Sequence, residues 1–96
     1  MKRLRLTREA LQDLRDIWAY STETWGLQQA ERYVDAIRSA ITGLRDGNVV
    51  SQNAGYGLKG CRKITCGRHI VFFRENETVV EVVRVLHQKM DVGRWI

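Results

Sequence analysis

Residues 58–86 read LKGCRKITCGRHIVFFRENETVVEVVRVL, and the architecture turns on this stretch. Its apolar residues are largely β-branched or aromatic, come in short runs, and are divided by residues that favour turns. Leu58 to Thr65 reads as one strand, Cys66-Gly67 as a tight turn, and His69 to Phe73 as a second strand. Glu75-Asn76-Glu77 turns the chain again, and Val79 to Leu86 is a third strand. Connections this short join neighbours that run in opposite directions, so the stretch is a three-stranded antiparallel meander.

Working outward, Gly47 to Gly57 holds Gly, Asn and Ser with little periodicity and reads as a loop. Upstream of it the period changes from two to between three and four. Ala30, Tyr33, Val34, Ile37, Ala40, Ile41 and Leu44 form one apolar stripe, and Gln29, Glu31, Arg32, Asp35 and Arg38 lie opposite. That helix runs from Leu27 or Gln28 to Arg45, with Gly47-Asn48 ending it. An earlier stripe of Ala10, Leu11, Leu14, Ile17 and Trp18 marks another helix, with Thr7 as its N-cap and Gly26 as a left-handed terminator. A link this short makes the pair an antiparallel hairpin. The opening Lys2-Arg3-Leu4-Arg5-Leu6 alternates basic and apolar residues, as a short edge strand does. The fold class is α+β: N-terminal strand, two-helix hairpin, then the meander, with the hairpin on one face of the sheet because neither stripe can be buried alone.

Ninety-six residues suffice for one domain spanning 1–96. The 44% hydrophobic content is ordinary for a globular chain, and 28% charged residues argue against a membrane span. The first residues lack the apolar run of a signal peptide, so a cytoplasmic location is expected. Sixteen Lys and Arg against eleven Asp and Glu leave a net charge of +5, with an isoelectric point near 9.7. That balance suits acidic partners: nucleic acid, a nucleoprotein machine or an acidic protein segment. Cys61 and Cys66 do not have the spacing of a redox or zinc motif and read as small side chains in or beside the sheet. Nothing in the sequence calls for a metal or other cofactor.

Groups able to do chemistry gather in the C-terminal half: Arg62, Lys63, Arg68, His69, Arg74, Arg84, His87, Lys89 and Asp91. A histidine among arginines has the makings of an RNA-cutting site. The imidazole moves a proton, and the guanidinium groups hold the charge growing on the phosphate. His87 or His69 with Arg62 and Arg84 would be that set. Strict strand alternation puts Arg84 with Val82 and Leu86, and His87 with Val83 and Val85, so the two face one pocket only if a bulge intervenes or the strand ends early. The alternative makes His87 a hydrogen-bonded anchor for the tail, and Arg84 a half-buried charge paired with Glu81 or Asp91. In the tail, Trp95 and Ile96 are large apolar groups that either tuck back onto the protein or dock on another one.

Five segments, in order, resemble the ParE branch of the RelE/ParE toxins: ALQDLRDIWAY (10–20), WGLQQA (25–30), GCRK (60–63), GRHIVFFR (67–74) and VRVLHQKMD (83–91). The resemblance implies the fold already read from the residues. It also implies a toxin of a bacterial type II toxin–antitoxin module, silenced by a ParD-like antitoxin with a dimeric DNA-binding part and a C-terminal segment that folds along the toxin. Toxins of the ParE type poison DNA gyrase and block replication, whereas RelE-type relatives cut messenger RNA on the ribosome. Ribonuclease relatives carry arginine where this chain has His69, and tyrosine just after the position of His87, where this chain has Gln88. Gln88 supplies neither an acid nor a stacking ring. Relatives often carry proline near Asn48; here Val49 follows.

The resulting expectation is a growth-arresting toxin that binds and inhibits gyrase without catalysis. Its target-binding region is Arg62, His69, Arg84 and His87 with the tail from Lys89 to Ile96, including Asp91 and Trp95. Arg32, Arg38 and Arg45 face the antitoxin; no membrane is involved, and direct nucleic-acid contact is secondary. The competing expectations are a ribosome-dependent endoribonuclease using Arg62, Arg84 and His87, and an inactive remnant that still binds antitoxin.

Overall fold

The computed structural model describes residues 2–47, 49–55 and 58–90. Strand β1 (Arg3–Leu6) leads into helices α1 (Arg8–Trp25) and α2 (Leu27–Arg45), followed by β2 (Gln52–Asn53), β3 (Arg62–Cys66), β4 (His69–Glu75) and β5 (Val79–His87). The sheet order is β1-β5-β4-β3-β2, so the meander, the N-terminal edge strand and the helical hairpin are all present. β1 lies parallel to β5, with Arg3 opposite Val79 and Leu6 opposite Val82, and the remaining pairs are antiparallel.

Two segments depart from the sequence reading. Gln52 and Asn53 pair with Lys63 and Arg62, adding a short outer strand where a loop was expected. The strand expected from Leu58 begins at Arg62, because Leu58 and Cys61 first close a turn through the Cys61 N–H and the Leu58 carbonyl, 3.1 Å apart.

Thr7 caps α1 as expected, its hydroxyl accepting from the Ala10 N–H at 3.0 Å. α1 buries Ala10, Asp13, Leu14, Ile17 and Ser21; Leu11 and Trp18, placed by sequence on the core stripe, are exposed. The apolar stripe is narrower than it reads, because the buried face continues through Asp13 and Ser21 instead. α2 follows the sequence reading closely, burying Ala30, Val34, Ile37, Ile41 and Leu44. Gly26 joins the two helices at φ +89° and ψ 165°, a glycine conformation but not the left-handed helical one expected. A single residue suffices for the turn, since Gly26 donates to the Thr22 carbonyl and accepts from Ala30.

The larger core lies between hairpin and sheet, where Leu14, Ile17, Val34, Ile37 and Ile41 meet Ile64, Val71, Phe73, Val80, Val82 and Val85. On the opposite sheet face Phe72 and Leu86 pack with Ala54, Cys61, Leu58 and Ile70 under the segment that precedes β3. The two faces exchange parity at a bulge. Phe72 is opposite Arg84 but Phe73 is opposite Val82, leaving Val83 as the extra residue. Val82 therefore lies on the helix side with Val85, and not on one face with Leu86 as strict alternation required.

Candidate functional site

β1 pairs with β5 only as far as Val82, so the outer edge of β5 beyond it needs other partners. The start of α1 supplies them. Thr7 donates its N–H to the Val82 carbonyl at 3.0 Å and its hydroxyl to the Val83 carbonyl at 2.6 Å. Nearly two turns on, buried Asp13 accepts from the Val85 N–H at 2.9 Å and from Arg84 Nε and Nη2, both at 2.8 Å. This bidentate pair raises the Arg84 pKa, chiefly through the hydrogen bond to Asp13. The carboxylate partner of Arg84 among the described residues is therefore Asp13, and not Glu81, which lies 3.8 Å from Arg5; Asp91, the other partner the sequence suggested, lies outside the described residues.

At the C-terminal end of β5, Cys66, His69 and His87 stand in adjacent register across β3, β4 and β5. The Gly67-Arg68 turn between β3 and β4 presses on α2. A Cβ on Gly67, which has φ +60°, would lie 2.8 Å from a ring carbon of Tyr33. The Tyr33 hydroxyl accepts from the Arg68 N–H at 3.0 Å and is 2.6 Å from His69 Nδ1. Burial, reinforced by the neighbouring His87 and opposed by Asp13, pushes the His69 pKa down to about 4. At neutral pH its imidazole is thus uncharged, and Nδ1 shares a hydrogen bond with the Tyr33 hydroxyl. His87 is fixed differently: its Nδ1 accepts from the Lys89 N–H at 3.2 Å, and its carbonyl accepts from Met90 at 2.9 Å.

These groups belong to a row of rings in edge-to-face contact. Tyr20 and Trp25 are 6.3 Å apart between centroids, Trp25 and Tyr33 6.0 Å, Tyr33 and His69 5.6 Å, and His69 and His87 5.3 Å. The row lines a cavity of about 340 Å³, completed by Asp16, Ile17, Ser21, Arg68 and Met90. A cavity of this size and makeup suits an apolar or aromatic group, with Asp16 and Arg68 as its charged members.

The structure brings together His69 and His87 and leaves the other expected residues elsewhere. Arg62 is held by Ser51, its Nε 2.6 Å from the Ser51 hydroxyl and its Nη2 2.8 Å from the carbonyl. It lies four residues along β3 from the register of His69, roughly 13 Å away. Arg84 reaches α1, and because the bulge precedes it, Arg84 and His87 keep opposite parity. Lys89 is exposed in the turn after β5. Asp91 and Trp95 lie outside the described residues. Arg32 and Arg38 are exposed on α2, but Arg45, expected to be exposed, is half-buried, with its Nε buried and unpartnered among the described residues. Burial pushes the Cys61 and Cys66 thiols up, so neither is poised as a thiolate. Sequence reasoning missed Asp13, Tyr20, Trp25 and Tyr33 as site residues. Asp13 left a trace: it stands three residues after Ala10 and four before Ile17, on the buried face of the helix.

The fold is similar to that of a solved structure described as the chromosomal ParDE TA system from P. aeruginosa, which matches with a TM-score of 0.79 and 22% identity, over 91% of this chain and 96% of that one. The family model described as ParE toxin of type II toxin-antitoxin system, parDE, matches residues 4–92. Toxin ParE1 of Caulobacter vibrioides is 38% identical over 97 residues, covering 95% of this chain and 94% of that protein. Toxin ParE1 of Mycobacterium tuberculosis is 37% identical over 82 residues, or 84% of each chain. The chain belongs to the ParE toxin family of type II toxin–antitoxin systems, within the RelE/ParE superfamily.

Proposed function

We propose that this toxin arrests growth by binding DNA gyrase without making or breaking bonds, and that a ParD-like antitoxin silences it. The observation that carries the reading is the engagement of both arginines needed for a nuclease. Arg84 is clamped by Asp13 and Arg62 by Ser51, so neither joins His87 in a phosphate-binding group. A neutral, hydrogen-bonded His69 is poorly suited to hold a developing negative charge. The ParDE description attached to the family and to the P. aeruginosa structure supports the antitoxin assignment. Residues His69, His87 and Lys89, with the tail through Asp91 and Trp95, form the target-facing end, and the exposed Arg32 and Arg38 serve the antitoxin. In a supercoiling assay with purified gyrase, the toxin should lower supercoiled product or trap cleaved DNA. Full supercoiling at saturating toxin excludes the reading.

One observation favours a second reading. His87 stands at a cavity in edge-to-face contact with His69, 5.3 Å between centroids, and an imidazole there is a candidate acid or base. A ribosome-dependent nuclease would then leave new messenger ends in the A-site codon, which end-mapping on translating ribosomes detects. Those ends should vanish in His87→Ala.

A further inference from the structure

Helix α1 contributes two pairs of residues to the ring-lined cavity. Ile17 and Ser21 are its buried base, 7% and 1% exposed, while Asp16 and Tyr20 stand exposed at its rim. Two features of this arrangement call for a ligand. First, the Ser21 hydroxyl makes no hydrogen bond among the described residues, so a buried polar group waits without a partner in a cavity walled mostly by rings. Second, the rim carries opposite charges that the protein itself does not match. Asp16 accepts from the uncharged Gln12 at 2.9 Å and has no ion pair among the described residues. Arg68 is exposed and held by its backbone, its N–H bonded to the Tyr33 hydroxyl and its carbonyl to Gln88. Its guanidinium meets no acceptor among the described residues, Asp16 included.

We propose that this cavity binds a free aromatic α-amino acid of the tyrosine kind, its ring among Trp25, Tyr33 and His69, its phenol at Ser21, its ammonium at Asp16 and its carboxylate at Arg68. The ring makes edge-to-face contacts of the sort the wall already contains. A phenol both donates and accepts, so it satisfies a serine hydroxyl in either sense. Ammonium and carboxylate on one carbon match a rim that bears one carboxylate and one guanidinium, and a guanidinium holds a carboxylate by two parallel hydrogen bonds. The volume of about 340 Å³ is at the small end of ligand pockets, as a single ring with its short backbone requires. An aromatic side chain of a bound protein lacks this match, because its α-nitrogen and α-carbonyl are tied up in uncharged peptide bonds. This binding goes beyond the proposed function and does not rest on it.

The test titrates L-tyrosine into the isotope-labelled full chain, freed of antitoxin, and follows its amide and ring resonances. Saturable shifts should gather at Ser21, Tyr33, Arg68 and His69, with half-saturation below about 1 mM, while Ala54 and Cys61 on the far sheet face stay in place. Analogues remove one group at a time: L-phenylalanine lacks the hydroxyl, tyramine the carboxylate and para-hydroxyphenylpropionate the ammonium. Each should bind several-fold more weakly than L-tyrosine. Three variants assign these losses to side chains. Arg68→Gln should weaken L-tyrosine but not tyramine, Asp16→Asn should weaken L-tyrosine but not the propionate, and Ser21→Ala should weaken L-tyrosine but not L-phenylalanine. Asp16 and Arg68 are exposed, so their variants keep the fold. A titration without saturable shifts, or with shifts elsewhere on the surface, would overturn the proposal. So would variants that weaken every analogue equally. N-acetyl-L-tyrosinamide binding as tightly as L-tyrosine would overturn it too, and would make the cavity a seat for a protein side chain. None of these results bears on gyrase inhibition, which the supercoiling assay reads separately.

Discussion

Asp13 does three jobs with one carboxylate: it neutralises Arg84, holds both arms of its guanidinium, and accepts the Val85 N–H that β1 is too short to reach. Asp13→Ala takes this carboxylate away from a half-buried guanidinium and from a backbone donor. The expected loss is about 3 kcal/mol in urea denaturation, with Asp13→Asn intermediate. A loss below about 1 kcal/mol would show the pair to be idle. His69 gives a pH prediction whose sign follows from its shift. The folded chain keeps the imidazole neutral down to about 4, whereas the unfolded chain takes up a proton near 6.5. Within that window the unfolded state binds more protons, so this contribution is complete above 6.5 and is lost as the pH falls toward 4. Allowing for partial exposure it amounts to at most about 2 kcal/mol. Denaturation midpoints measured across the window should fall less steeply for His69→Gln than for the parent chain. Only part of this was legible in advance. His69 and His87 are conspicuous in the sequence, but the charge state of His69 depends on its burial in the folded chain, and its hydrogen-bond partner Tyr33 is 36 residues away.

Among the elements, α1 has a role beyond burying a stripe, because its first turns finish the edge of β5. Thr7 is both the N-cap and a donor to the sheet, through the 2.6 Å bond to the Val83 carbonyl. Thr7→Ala should therefore cost about 1–2 kcal/mol in thermal or urea unfolding, with Thr7→Ser restoring most of it. Loss of the cap alone would stay nearer 1 kcal/mol, so the excess measures the bond to β5. The cap was readable from Thr7 before an apolar period, while its second bond was not, since it needs β5 to arrive 76 residues later. Helix α2 matched its pattern because the stripe through Ala30, Val34, Ile37, Ile41 and Leu44 faces one layer. β5 did not, because a bulge at Val83 resets the alternation and nothing in a run of valines announces where it falls.

On the scale of the whole molecule, Arg38 and the row of rings border separate concavities. Arg32 and Arg38 project from α2, where Arg38 borders shallow surfaces together with Asp35 and Trp18, whereas the aromatic cavity lies between the end of α1, α2 and the β3–β4 turn. If the antitoxin lies on the hairpin, the two arginines act as exposed rim charges. Arg32→Glu combined with Arg38→Glu should weaken antitoxin binding by no more than about thirtyfold and flatten its salt dependence. Titration calorimetry at two ionic strengths checks both; unchanged affinity and salt slope would remove these arginines from the interface. Arg45 is left out of this variant because its buried Nε makes a reversal of charge there a test of folding instead.

From residue order alone came the α+β class, both helices, the inner face of α2 and part of that of α1, the meander, the Thr7 cap and the ParE resemblance. All of these are written in local periodicity, in turn chemistry and in segments a few residues long. The parallel pairing of β1 with β5, the bulge, the Asp13–Arg84 clamp and the ring-lined cavity became apparent only in the folded chain. Each joins residues distant in sequence, and hydrogen bonds and ring contacts between such residues leave no period for a linear reading to detect.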